Sequence, residues 1–305
     1  MNRRNFIKAA GIAAAGAAIT APATQNAQAA EQGKFKLKYA PGFGMFKELA
    51  GEDLIDQIKF MDENGFRAIF DNGLPGKSAA MQEKIANELA KRNMDMGPFV
   101  LYADFKVKSF VLSDPDIADM LVKKMEMGVE VAKRTGAKWA LVVPGRFADD
   151  MEWAYQTANV IDNLRRCCDV VEAHGLTLVL EPLNAWRNHP GLFLTKIPQA
   201  YEICRAVNRP SCKIINDLYH QQITEGNLIP NIDMAWSEIA AFHLGDTPGR
   251  KEPGTGEINY KNIFRHIYKK GYEDVLCMEH GRSIKGKEGE QAVIDAYRKA
   301  DDFEV

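Results

Sequence analysis

Cysteine is scarce and unpatterned, with five in 305 residues and no C-x-x-C pair. Cys167 and Cys168 are neighbours in a helical segment, where a mutual disulfide would be strained, and Cys204, Cys212 and Cys277 stand far apart. Structural free thiols are therefore expected, and a cysteine zinc site is not. A surplus of either charge is also missing: 39 Lys+Arg face 41 Asp+Glu, a net charge of −2. A general nucleic-acid binder would show a basic excess or stripe. Beyond the N-terminus no uncharged apolar run approaches the roughly 18 residues of a membrane span. Neither G-x-G-x-x-G nor a Walker A sequence occurs, so the usual nucleotide loops of open α/β sheets are lacking. What is present, 46% hydrophobic and 9% aromatic residues, suffices for a large core. A small-molecule enzyme is the class left standing.

The first residues read as an address. Arg3-Arg4-Asn5-Phe6-Ile7-Lys8 resembles a twin-arginine export motif, an Ala/Gly/Ile stretch follows from Ala9 to Thr20, and Ala27-Gln28-Ala29 has the small-x-small form of a cleavage site. The expected division is a signal peptide over residues 1–29 and a catalytic domain over 30–305, located in the periplasm or otherwise outside the cytoplasm, and free of the membrane after cleavage.

From Lys36 onward a short β-rich run, a loop and an amphipathic stretch recur. The runs are Leu37–Ala40, Ala68–Phe70, Met96–Leu101, Trp139–Val143, Leu176–Leu180, Lys213–Asn216, Ala240–Leu244 and Val275–Met278, eight in all. Between them, Ile117, Leu121, Met125, Val129 and Ala132 keep helical spacing, as do Val160, Leu164, Cys167 and Val171. Asn64-Gly65, Thr135-Gly136, His174-Gly175 and Lys270-Gly271 read as helix ends, and Ser113-Asp114-Pro115 as a helix start. Eight such units predict an α/β fold, a single (β/α)8 TIM barrel, with a doubly wound open sheet as the competitor.

Barrel chemistry sits at the C-terminal strand ends. The last four strands end in or near Glu181, Asp217, His243 and Glu279. Val179/Glu181, Ile215/Asp217, Ala241/His243 and Cys277/Glu279 are i, i+2 pairs, so each polar residue can face inward above an apolar one. Each alone has an ordinary explanation: a salt bridge or helix cap for a glutamate, a satisfied hydrogen bond for a histidine. Together, three carboxylates and an imidazole at one mouth would repel unless protonated or bridged by a cation. The oxygen-rich set suits one divalent metal, Mn2+ first, then Mg2+, and the imidazole keeps Co2+ and Zn2+ open.

Glu181-Pro182-Leu183-Asn184, Asp217-Leu218-Tyr219-His220-Gln221 and the run from Pro248 through Gly254-Thr255-Gly256-Glu257 to Tyr260 resemble hydroxypyruvate isomerase and its relatives, within the xylose-isomerase-like barrel superfamily that also holds the ketose 3-epimerases. The similarity covers roughly the C-terminal half. It implies a metal held by Glu181, Asp217, His243 and Glu279, with the two glutamates doubling as acid/base residues. The implied reaction isomerises or epimerises a sugar or keto acid through an enediolate. Where His243 stands the hydroxypyruvate isomerases tend to have Gln and the ketose epimerases His, so the ligand set is epimerase-like and the loop isomerase-like. His220 and Arg250 are candidate substrate contacts; the alternatives are a cap on the next helix for His220 and a solvated pair with Glu252 for Arg250. Asn184 and Trp186 are further candidate substrate contacts, and Trp186 and His189 are placed at the pocket wall, with packing as the alternative. Keto-sugar elimination or hydration on the same metal site, and a sugar-binding barrel without turnover, remain as other readings. The endonuclease IV-like branch is disfavoured by only six histidines and the net charge of −2. The expected partner is a small sugar or keto acid and not nucleic acid; a homo-oligomer is left open.

Overall fold

The computed structural model describes residues 34–305, and the signal-peptide reading falls outside them. Phe35–Val305 forms one compact unit. Its strands are β1 (Lys38–Pro41), β2 (Ala68–Ile69), β3 (Asp95–Met96), β4 (Phe99–Ala103), β5 (Trp139–Val143), β6 (Thr177–Leu180), β7 (Cys212–Asp217), β8 (Ile239–His243) and β9 (Val275–Met278). All ladders are parallel. One sheet runs β1-β9-β8-β7-β6-β5-β4 and the other is β2-β3. A parallel bridge between Gly42 and Phe70 joins β1 to β2, and β3 leads straight into β4, so the ring closes as the barrel expected from the eight β-then-α units.

One strand differs from its expected form. The Met96–Leu101 run is broken at Gly97-Pro98 into β3, which pairs with β2, and β4, which pairs with β5. Pro98 has no N–H to give a ladder. Gly97 donates to the Ile69 carbonyl at 2.7 Å, and a Cβ on it would stand 3.0 Å from that oxygen. The third stave therefore kinks and serves two neighbours with its two halves.

Local chemistry sets the helix ends. The Asp114 side chain accepts from the backbone N–H groups of Asp116 and Ile117 and caps the helix Pro115–Thr135, whose first residue is proline. Gly136 closes it at φ +70°, a left-handed conformation that costs glycine little. Leu121, Met125 and Val129 on its inner face are buried, packing onto the sheet as their spacing requires. All five cysteines are free and buried. No helix among the described residues is long and apolar enough to cross a membrane.

The core has two layers. One lies between helices and sheet; the other fills the barrel and contains Val179, Ile215, Ala241 and Cys277. These four are the residues two positions before the candidate ligands, so strand alternation aims all four polar side chains at the same mouth.

Candidate active site

Glu181 follows β6, Asp217 ends β7, His243 ends β8 and Glu279 follows β9. Neighbouring staves hold them in register, with Asp217 opposite His243 and His243 opposite Cys277. One ligand atom from each of the four lies within 4.8 Å of the others. Donors about 2.2 Å from a shared ion stand up to about 4.4 Å apart, so a contraction of a few tenths of an ångström would bring all four within reach of one ion. Three carboxylate oxygens and one imidazole nitrogen, nearly closed to solvent, are a donor set that fits a divalent cation.

His243 is fully buried. Its Nδ1 is 2.7 Å from Glu181 Oε1 and 3.1 Å from Glu279 Oε2. Burial opposes its charge, but the Glu279 and Glu181 carboxylates outweigh that and raise its pKa well above the ordinary value. Burial pushes the Glu181 carboxyl up to about 7, against the pull of His243. Burial would also raise Glu279, but His243, Arg250 and Asn72 outweigh it and hold this carboxylate ionised, below the usual range. Two glutamates separated by β7 and β8 thus differ in proton affinity in the ion-free site, as an acid/base pair requires.

Asp217 uses one oxygen to cap the helix Leu218–Thr224, accepting from His220 N at 3.0 Å. Its Oδ2 faces Arg250 Nη2 at 3.3 Å and His220 Nε2 at 3.6 Å. His220 is therefore more than a helix-start residue. Its Nδ1 accepts from the Asn184 backbone N–H at 3.2 Å, which leaves Nε2 as the protonated nitrogen facing Asp217. Burial lowers its pKa to about 4, so it is a neutral donor at the mouth.

Arg250 does not pair with Glu252. Its Nη2 donates to Glu279 Oε2 at 2.6 Å and its guanidinium lies over the Tyr219 ring at 4.9 Å. Glu252 instead accepts from Ser283 N at 2.9 Å. Buried Asp246 organises the loop by accepting from the N–H groups of Thr247, Gly254, Gly256 and Ile258. Arg250 itself sits at φ +51°, a conformation unfavourable for a non-glycine residue and found where function fixes a side chain.

Asn184 is fully engaged: Oδ1 accepts from Arg187 N and Asn188 N, while Nδ2 faces His220 Nδ1 at 2.6 Å and Asn188 Oδ1 at 2.9 Å. It reaches the site through His220. His189 lies between the rings of Phe105 at 4.8 Å and His220 at 5.4 Å. Trp186 is 81% exposed, standing on the rim and outside the buried group. The motifs gave no notice of Asn72, which donates to Glu279 Oε1 at 2.6 Å. Its signal lay in the same alternation, Ala68, Phe70, Asn72, at the end of β2.

Comparison with known proteins agrees with this architecture. Residues 58–300 match the family model described as xylose isomerase-like TIM barrel. The 2-oxo-tetronate isomerase of Cupriavidus necator is 30% identical over 139 residues, 46% of this chain and 53% of that protein. The hydroxypyruvate isomerase of Escherichia coli K12 is 35% identical over 123 residues, 40% and 47% respectively. The chain thus spans about half the length of these curated relatives. Among solved structures, a D-psicose 3-epimerase in the presence of D-fructose superposes with TM-score 0.68 at 16% identity, covering 87% of this chain and 96% of that one. The IOLI protein with a bound zinc atom superposes with TM-score 0.69 at 20% identity, covering 87% and 98%. With the family model matched over most of the barrel, this chain belongs to the xylose isomerase-like TIM barrel family.

Proposed function

We propose that this protein is a divalent-metal-dependent isomerase or epimerase that moves a proton on an α-hydroxycarbonyl substrate, a sugar or a keto acid. The observation that carries the reading is the convergence of Glu181, Asp217, His243 and Glu279 within 4.8 Å. These four would hold the ion, and Mn2+ or Mg2+ suits the oxygen-rich set best. A bound cation would polarise the substrate carbonyl and offset the charge that develops as a carbon-bound proton leaves. Glu181, buried at one side of the ion-binding group, is assigned as the proton acceptor. Glu279 stands across from it and can return a proton to the neighbouring carbon or the opposite face. The Nε2–H of His220 and the Arg250 guanidinium are donors for substrate oxygens. The relatives named as 2-oxo-tetronate and hydroxypyruvate isomerases support the chemistry.

The test is solvent exchange. Chelated protein in D2O, offered 2-keto-3-hydroxy acids and ketoses, should leave the substrate C–H signal intact, and added Mn2+ should exchange it for deuterium. No exchange with any substrate in the presence of Mn2+ contradicts the reading. Product analysis in the same samples separates isomerisation from elimination or hydration.

We further propose an extracytoplasmic location, on the strength of Arg3-Arg4 and the Ala27-Gln28-Ala29 pattern. Changing Arg3 and Arg4 to Lys should keep the protein in the cytoplasm; undiminished recovery from the periplasm contradicts export by this route.

A further inference from the structure

The Glu279 carboxylate is gripped unequally. Oε2 faces the ion-binding group, 3.1 Å from His243 Nδ1 and 2.6 Å from Arg250 Nη2. Oε1 points away and accepts from Asn72 Nδ2 at 2.6 Å. An ionised carboxylate only accepts hydrogen bonds, so the amide of Asn72 must present its N–H here. Its Oδ1 is thereby turned into the protein, where it is buried and has no hydrogen-bond partner.

That arrangement is costly for a residue whose task is packing. A buried acceptor without a donor opposes folding, and leucine would offer a similar branched shape without leaving one. The backbone around it is built to hold the donor still. The Asn72 carbonyl accepts from Val100 N at 3.3 Å, tying the end of β2 to β4. Asp71 accepts from Gly73 N at 3.0 Å and pairs with Lys77 at 2.6 Å. The next turn, Leu74–Gly76, is pinned by Gln82, which donates to the carbonyls of Leu74 and Lys77 at 3.0 Å each. The amide thus stands on a hydrogen-bonded turn after β2, with β1 between its strand and β9, which carries Glu279.

From this geometry we infer that Asn72 is a positioning residue, fixing the Glu279 carboxylate so that Oε2 is its single ligand atom for the ion and Oε1 is withheld. Without the amide the carboxylate can rotate about its terminal bond and offer either oxygen, so the ion loses one preorganised donor and the proton-carrying oxygen loses its aim. The inference rests on the proposed reading of the site as a metal centre.

Mn2+ itself is the probe, titrated calorimetrically into the chelated full-length protein and its variants. Asn72→Leu, which keeps the branched shape and removes the donor, should weaken Mn2+ binding by about 10- to 100-fold. Asn72→Gln, which restores an amide one methylene further out, should recover most of that loss. The melting temperature of the ion-free protein should change little in either variant. With saturating Mn2+, kcat should fall in the Leu variant while KM stays near that of the parent, because no substrate contact is removed. Asn72→Ser provides a second donor-shortened variant should the Leu protein fail to fold, with the same expected weakening. Mn2+ affinity and kcat within twofold of the parent in a folded Leu or Ser variant overturn the inference. So does a large fall in ion-free melting temperature with Mn2+ affinity unchanged, which would mark Asn72 as structural. A parent protein that binds no Mn2+ overturns the metal-centre reading itself, a result distinguishable from both.

Discussion

Replacing Glu181 by Gln should lower kcat for substrate proton exchange by about 10²- to 10⁴-fold, the range for losing a positioned general base, while the fold survives. The change keeps size and one oxygen ligand but removes the group that accepts a proton. Its carboxyl, pushed up to about 7 by burial, is unlike any exposed glutamate, and it lies 2.7 Å from His243. Glu279→Gln should bring a comparable loss, since that residue is the other proton carrier, and each change should also weaken ion binding because each surrenders a charged donor. Exchange into D2O, followed by NMR at saturating Mn2+, reads both. A sugar-binding barrel without turnover makes the opposite statement: ligand binding persists in both variants and the parent itself shows no exchange. Exchange rates in either variant within a few-fold of the parent would remove that glutamate from the proton-transfer role.

The second large effect is the pH dependence of ion binding. In the ion-free protein Glu181 holds its proton below about pH 7, and His243 holds one well above its ordinary range. Both protons must leave before those atoms can ligate. Affinity for Mn2+ should therefore climb with pH, approaching about 100-fold per unit below pH 7, where two protons depart, and about tenfold per unit above it, where one does. Stability follows the same signs. The raised Glu181 and His243 values make contributions that are present at low pH and lost as pH rises through each folded pKa, whereas the depressed Glu279 value makes one lost on acidification. The ion-free protein should weaken as pH rises through 7, and the melting-temperature gain on adding Mn2+ should grow. Calorimetry in buffers of different ionisation enthalpy counts the protons; a dissociation constant flat between pH 6 and 8 would show that neither group carries the proton assigned to it.

Much of this architecture was legible because it depends on periodicity. Helical spacing at Leu121, Met125 and Val129 and period-two spacing at the strand ends are imposed by burial, and burial is written in residue type. The kink at Gly97-Pro98 was visible as residues but not as a break, since whether proline ends a strand depends on which neighbour needs its N–H. The four converging side chains were legible because each stood two residues beyond an apolar position on consecutive strands. Asn72 obeys the same rule, but an asparagine after a two-residue strand reads as turn chemistry. The destination of Arg250 was likewise a question of three dimensions: Glu252 is two residues away in sequence, yet it is drawn to Ser283, while Asp246 folds the loop so that the guanidinium reaches Glu279. Trp186 looked like a wall residue from its neighbours and lies on the rim because its loop turns around Asn184.

The proposed chemistry depends most directly on a single ion shared by four strand ends. Diffraction from Mn2+-soaked crystals at the manganese edge tests it: one anomalous peak should appear about 2.0–2.3 Å from an oxygen of Glu181, Asp217 and Glu279 and from the Nδ1 atom of His243. A fully soaked crystal with no peak there, or with its peak out of reach of these four atoms, would contradict it.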